Sequence, residues 1–318
     1  MVTGVAGFIG SHMAEGLMKK GYAVTGLDNM STGEKRNIPK GIKFFKGDVT
    51  NPRDLGKAFA SAKIAGVFHI AGCASTIKAF DDPEADLRTN TFGTVRVVQA
   101  CLENKVPRLL YASSMTAYGH PSKLPVSVDS SCRPISYYGI SKYAAERYAL
   151  ATGERKDLSH KFGATAFRMF NVYGRRQSLT NPYQGVASIF IGNVLRGEPV
   201  KIFGDGQQSR DFIHISDVVA AWIKAFTSPK AVGQVFNLGS GTRISVNRLV
   251  DTDIRAFGLN PKNYAKEYYP VRPGDQRHMQ ADISKTKKIL NWKPRMSFEK
   301  GMGDVIQWAL EEARSQQA

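Results

Sequence analysis

The chain opens Met1-Val-Thr-Gly4-Val-Ala-Gly7-Phe-Ile-Gly10-Ser-His-Met13, and the reading of this stretch sets the fold. Val2-Thr3 reads as the end of a first β-strand. Glycines follow at every third position, and then Ile9, Met13, Leu17 and Met18 recur at helical spacing. Strand, glycine turn and helix in that order make a cradle for a pyrophosphate. Gly4 makes the sharp turn, Gly7 removes a side chain where an anion approaches the backbone, and Gly10 lets helix and strand pack closely. The helix N-terminus, with Phe8 and Ile9 in its first turn, then faces the anion. A glycine triplet alone also fits a plain structural turn, so the next unit carries the weight. Tyr22–Leu27 reads as a second buried strand ending at Asp28, 18 residues beyond Gly10. A carboxylate there accepts hydrogen bonds from both ribose hydroxyls of an adenosine and repels a 2′-phosphate. Asp28 is followed by Asn29 and no arginine, which points to NAD rather than NADP. A third strand, Ile42–Lys46, ends at Gly47-Asp48-Val49, placing an acidic side chain at the adenine edge or in an ordinary turn.

Further out, strand-like runs at Val67–Ile70, Arg108–Ala112 and Ala164–Phe167 alternate with amphipathic stretches near 52–60, 84–104 and 139–152. Alternation of this kind predicts an α/β fold of Rossmann type, a doubly wound parallel sheet covered on both faces. After residue 173 the pattern loosens into Pro-, Gly- and Asn-bearing segments with shorter helices near 186–196, 246–257 and 298–313. The expected organisation is a dinucleotide-binding domain over 1–173, to which 211–240 returns through a strand at Val235–Gly239. A smaller, discontinuous C-terminal substrate lobe is expected over 174–210 and 241–318.

At 318 residues, 42% of them hydrophobic and 22% charged, the chain has the composition of a globular protein. No run approaches the length of a membrane span, and the first residues carry no signal-peptide pattern. The net charge of +17 would suit a nucleic acid, an anionic membrane or a small phosphorylated ligand. No basic stripe with interleaved aromatics singles out nucleic acid. Cys73, Cys101 and Cys132 form neither a disulfide framework nor a CxxC pair, which predicts a reducing, cytoplasmic setting and no metal site.

The chemistry-bearing segment is Tyr137-Tyr138-Gly-Ile-Ser-Lys142, running into Tyr143-Ala-Ala-Glu-Arg147. Tyr138 and Lys142, four residues apart, share one helical face. A phenol is a poor base at neutral pH, but a neighbouring ammonium and the positive nicotinamide of an oxidised cofactor favour its phenolate. Upstream, Tyr111-Ala-Ser-Ser114-Met-Thr-Ala-Tyr-Gly119 is a strand end entering a polar loop, where Ser114 offers a hydroxyl to the same substrate oxygen.

The glycine-rich opening, the strand-end Asp28, Ser114 in SSxxxYG and YxxxK 24 residues later together resemble the extended short-chain dehydrogenases/reductases. Within them the chain resembles the nucleotide-sugar 4-epimerases typified by UDP-glucose 4-epimerase. The likeness extends through Arg168–Gly174, Gly204–Asp211 and Arg272–Asp275. It implies a reaction centre of Ser114, Tyr138 and Lys142, with Lys142 also holding the nicotinamide ribose. Ala71, Gly72 and Asn90 would line the cofactor, and Phe170 and Val172 would flank the nicotinamide. Asn171 and Val186 would touch the sugar nucleotide and Phe203 the uracil. Arg210 and Arg272 would clasp the pyrophosphate beside Asp275 on a ribose. Each arginine also has a plain structural use, Arg210 as a partner of Asp211.

Relatives that dehydrate the sugar carry an Asp-Glu pair after the serine, where this chain has Met115 and Thr116. Elimination would lack its proton carrier. The expectation is NAD-dependent C4 epimerisation of a UDP-hexose through a 4-keto sugar that turns over and is reduced from its other face. Met279, four residues past Asp275, falls where the family sets substrate width, predicting UDP-glucose and UDP-galactose with room for the N-acetyl forms. The resemblance also implies a homodimer through the helices near 90–104 and 139–152. Two other readings stay open: a different nucleotide-sugar oxidoreductase or 4-keto reductase, and a non-catalytic NAD-binding regulator.

Overall fold

The computed structural model describes residues 1–181 and 185–317, without the side chains of 315–317. Residues 182–184, inside the stretch expected to open the second lobe, lie outside the described residues. The chain first forms β1 (Val2–Thr3), α1 (Phe8–Met18), β2 (Thr25–Asp28), β3 (Lys43–Lys46), α2 (Pro52–Phe59) and β4 (Val67–His69). Then come α3 (Thr76–Asp81), α4 (Pro83–Leu87), a π-helical turn (Arg88–Phe92), α5 (Gly93–Glu103), β5 (Arg108–Ser114), α6 (Tyr137–Gly153) and β6 (Gly163–Met169). The remainder runs β7 (Asn171–Tyr173), α7 (Val186–Leu195), β8 (Val200–Phe203), β9 (Ser209–Arg210), β10 (Phe212–His214), α8 (Ile215–Thr227) and β11 (Val235–Leu238). It closes with β12 (Ile244–Ser245), α9 (Val246–Ala256), β13 (Lys266–Tyr269), α10 (Ser284–Leu290) and α11 (Phe298–Gln317).

Seven strands form one sheet in the order β11-β6-β5-β4-β1-β2-β3, every neighbouring pair parallel. This is the Rossmann-type arrangement. Successive residues of one strand point to opposite faces, and the two apolar layers follow that rule. Leu110 and Ala112 join Val2, Met13, Phe68 and Trp222 on one face, while Leu109 and Tyr111 join Leu27, Val97 and Ala145 on the other. β2 is buried along its whole length, as a sheet covered on both sides requires. It starts at Thr25, later than the predicted Tyr22, because Tyr22 follows directly on the turn that ends α1 and stays exposed.

A third apolar cluster, with Phe190, Ile191, Val200, Leu249, Ile254 and Val305, holds α7, β8, α9 and α11 together. The segment bearing Met279, Ala281, Ile283, Leu290 and Trp292, assigned by sequence to that second lobe, packs instead in the layer of Val2 and Phe68. Among the described residues no helix is long and apolar enough to cross a membrane.

Candidate active site

Strand order reverses between β1 and β4, so the loops leaving their C-terminal ends diverge and open a crevice. Gly4 lies there with φ +71°, and a Cβ on it would sit 2.8 Å from the Ala71 nitrogen. A Cβ on Gly10 would lie 1.9 Å from the Gly4 carbonyl oxygen, so α1 and β1 approach as closely as the glycine spacing implied. Gly7 occupies the N-cap of α1, no side chain caps the helix, and its first turn holds no acidic residue. The amide groups of that turn are therefore left for an anion. Asp28 is buried and fixed by the Ala6 and Met30 N–H groups (2.9 and 2.8 Å), one on each carboxylate oxygen. Asn29 donates to Asp48 (2.9 Å), whose other oxygen takes the Thr50 N–H and hydroxyl. The Val49 side chain belongs to the core beside Leu27 and leaves only its backbone for a cofactor.

A buried chain of hydrogen bonds that the sequence did not reveal runs under this crevice. The Thr3 hydroxyl accepts the Ile70 and Ala71 N–H groups and pairs with His69 Nδ1 (2.7 Å); His69 Nε2 pairs with the Thr94 hydroxyl (3.0 Å), which donates to the Asn90 carbonyl. Burial, with help from the Lys142 charge, pushes His69 down to about 3, so it acts as a neutral strut.

The reaction centre forms where β5 ends and α6 begins. Ser136 caps α6, accepting the Gly139 N–H (3.1 Å), and so fixes the first turn that bears Tyr138. Glu146, wholly buried, takes the Ser113 hydroxyl (2.6 Å) and the Arg168 guanidinium (2.6 Å), tying α6 to β5 and β6. Ser114 accepts the Thr116 N–H and hydroxyl (3.2 and 2.9 Å), and its hydroxyl is near enough to the Tyr138 phenol to oppose the rise that burial causes. Thr116 thus braces the serine and supplies no carboxylate. Lys142 is buried, its ammonium 4.6 Å from the centre of the Tyr111 ring. Burial pushes the Tyr138 phenol up to about 12 and the Lys142 ammonium down to about 8. The expected phenolate is therefore not a property of the protein alone. It requires the added positive charge of an oxidised nicotinamide beside the lysine.

Asn90 sits in the π-helical turn, a departure from the continuous helix predicted over 84–104. Its Oδ1 is buried without a partner among the described residues, and a Cβ on Gly72 would lie 2.6 Å from that oxygen and 3.5 Å from Lys142 Nζ. An orphan acceptor and a lysine above a glycine, at the crevice where α1 presents its amides, fit the hydroxyls and phosphates of NAD. Gly4, Gly7, Gly10, Asp28, Gly72, Asn90 and Lys142 are the residues that would hold it.

A cavity of about 640 Å³ is lined by Asn171, Val186, Phe203, Arg210, Arg272 and Asp275, six of the eight substrate residues predicted. Asn171 Oδ1 and Gln208 Oε1 are both buried and have no hydrogen-bond partner among the described residues. Gln208 also lines the cavity; it lies in the Gly204–Asp211 segment that carried the likeness but was not singled out there. Arg210 is buried and pairs with Asp275 rather than Asp211. Asp211 is instead held by the amides of Ser240, Gly241 and Ala281 and by the Ser240 hydroxyl. The Arg272 guanidinium lies 3.5 Å from the centre of the Phe203 ring, against which Tyr269 also stacks.

Met279 does not line this cavity. It is fully buried in the core layer of Met115, Tyr118 and Phe170, so it stands behind the wall and offers no surface to a sugar substituent. Phe170 is buried in the same layer, while Val172 beside it is partly exposed.

Residues 1–239 match the model of the family described as Epimerase, the NAD dependent epimerase/dehydratase family. The chain is 34% identical over 314 residues to a UDP-glucose 4-epimerase of Mycolicibacterium smegmatis, with 97% of each chain covered. The crystal structure of a UDP-glucose 4-epimerase with UDP-glucose from Thermotoga maritima superposes with a TM-score of 0.92 at 32% identity over 98% of each chain. That of a Thermus thermophilus UDP-glucose 4-epimerase complexed with NAD gives 0.88 at 32% identity, over 96% of this chain and 97% of that one.

Proposed function

The chain belongs to the NAD dependent epimerase/dehydratase family, and on that premise we propose that it interconverts the C4 epimers of a UDP-hexose, UDP-glucose and UDP-galactose first. The observation that carries this reading is the Tyr138 phenol close to the Ser114 hydroxyl and one helical turn from a buried Lys142, with a threonine and no carboxylate next to the serine. NAD, when bound, takes up the hydrogen of a sugar carbon and gives it back. Tyr138 receives the proton of the 4-hydroxyl and later returns it, and Ser114 holds the same oxygen through both steps. Lys142 supplies the positive charge that lowers the phenol. Arg210 and Arg272 grip the diphosphate, with Asp275 beside them, so the nucleotide stays while the 4-keto sugar turns. Met279 is buried away from the cavity, so acceptance of the N-acetyl forms rests on the residues that line it.

NMR of UDP-galactose incubated with the purified protein, without added cofactor, tests this. The expected product is UDP-glucose. Stoichiometric oxidation of added NADH or NADPH without isomerisation would identify a reductase, and bound NAD with no turnover would identify a regulator. We further place the protein in the cytoplasm, on its three free cysteines. We read it as a homodimer, on the exposed Leu87, Phe92, Tyr137, Ile140 and Tyr148 clustered along α4 to α6.

A further inference from the structure

Asp86, at the end of α4, is 2% exposed and has no arginine or lysine partner in an ion pair among the described residues. One of its oxygens accepts the Asn90 amide N–H (2.8 Å), and the other accepts the Ser141 hydroxyl. The same Asn90 nitrogen also reaches the Cys73 carbonyl (3.2 Å) and Ser141 Oγ (3.1 Å). An ionised carboxylate and a backbone carbonyl can only accept. With both on one side, the NH₂ end of Asn90 must face them and its carbonyl must face away. That carbonyl oxygen is the buried, unpartnered atom that shares the space above Gly72 with Lys142 Nζ. The reverse orientation would set an NH₂ group against an ammonium and leave two donors where a ribose needs a donor and an acceptor.

We propose that Asp86 is a positioning residue: it locks the Asn90 amide with its carbonyl toward Lys142, so that acceptor and donor meet the two hydroxyls of the nicotinamide ribose together. The proposal rests on the reading that NAD occupies this crevice. Burial pushes the Asp86 carboxyl up, and the hydrogen bond from Ser141, the charge of Lys142 and the bond from Asn90 oppose it, so the anion depends on the groups it organises.

The test is an exchange of the two side chains, read as the NAD(H) content of the purified protein and the Kd for added NAD⁺. Asp86→Asn lets position 86 donate to the Asn90 carbonyl and reverses the amide; Asn90→Asp sets two carboxylates face to face. Each is expected to weaken NAD⁺ binding about tenfold, the scale of one misplaced charge-assisted hydrogen bond. The combined Asp86→Asn/Asn90→Asp chain again sets one donor against one acceptor between 86 and 90 and leaves an acceptor toward Lys142, at the cost of an oxygen facing the Cys73 carbonyl, so recovery is partial. It is expected to recover at least about threefold of that loss. Ser141→Ala, which leaves the 86–90 bond in place but removes one hydrogen bond from the carboxylate, is expected to weaken NAD⁺ binding less than either single variant. If the single variants do not fold, an exchange variant that folds and binds NAD⁺ supports the proposal. One that neither folds nor binds, or binds as weakly as the single variants, overturns it. Wild-type binding of NAD⁺ with an unchanged Asp86→Asn variant overturns the proposal alone. A wild type that neither carries nor binds NAD⁺ overturns the reading of the crevice as well.

Discussion

Tyr138 and Lys142 stand one turn apart on α6, and burial drives both toward neutrality, the phenol up to about 12 and the ammonium down to about 8. Asp86, Cys73 and Glu146 act on Lys142 in the opposite sense, while His69 and the Tyr111 ring also face it. A lysine with a lowered pKa is charged below that value and loses its charge above it. Turnover is therefore expected to fall as pH rises through about 8, and the alkaline limb of the kcat profile should vanish in Lys142→Met. Tyr138→Phe is expected to lower turnover by about 10²–10⁴ while the NAD(H) content stays unchanged. Retained interconversion would remove the phenol from the mechanism. Asp253, on α9, is a different kind of residue: wholly buried, with neither carboxylate oxygen partnered among the described residues, and held well above its ordinary range by burial. A carboxyl raised in the folded state contributes its stability at low pH and loses it as pH climbs past the unfolded value. Asp253→Leu, nearly the same shape, is expected to raise stability at neutral pH by about 1–3 kcal/mol and to flatten that decline, as read by thermal melts between pH 4 and 8.

At the scale of elements, α1 is the most exacting, because Gly10 meets the Gly4 carbonyl where any Cβ would overlap backbone. Gly10→Ala is expected to cost about 1–3 kcal/mol of stability and most of the NAD affinity, measured by melting and by cofactor content. This element was legible because the constraint is local: a turn, a close approach and a helix start each demand glycine at a fixed spacing. The strand-end acid at Asp28 was legible for the same reason. α8 went unseen although Val218, Ala221, Trp222 and Ala225 are buried at helical spacing, so its signal was present. The π-helical turn was not legible, since helical periodicity runs on through residues 84–104 and the groups that hold the Asn90 amide come from the loop after β4, from α4 and from α6. Nor was the direction of the Met279 side chain, because position along the chain fixes neither which wall a residue joins nor which side of it.

For the molecule as a whole, the apolar residues exposed along α4 to α6 are the feature a single copy leaves unexplained. Ile140→Glu combined with Tyr148→Arg is expected to convert a sedimenting dimer to a monomer without unfolding it, and an unchanged sedimentation coefficient would place the interface elsewhere. The π-helical turn has a consequence on this larger scale. A wide turn holds one residue more than a regular one, and each residue of helix is worth about 100° of rotation. Deleting a single amino acid between 88 and 92 would let the backbone relax into an even spiral and swing whatever follows by more than a quarter circle. Either the inward-facing stripe of α5 would roll out of the sheet's covering layer, or Asn90 would rotate away from the nucleotide. Here the count of residues matters as much as their kind.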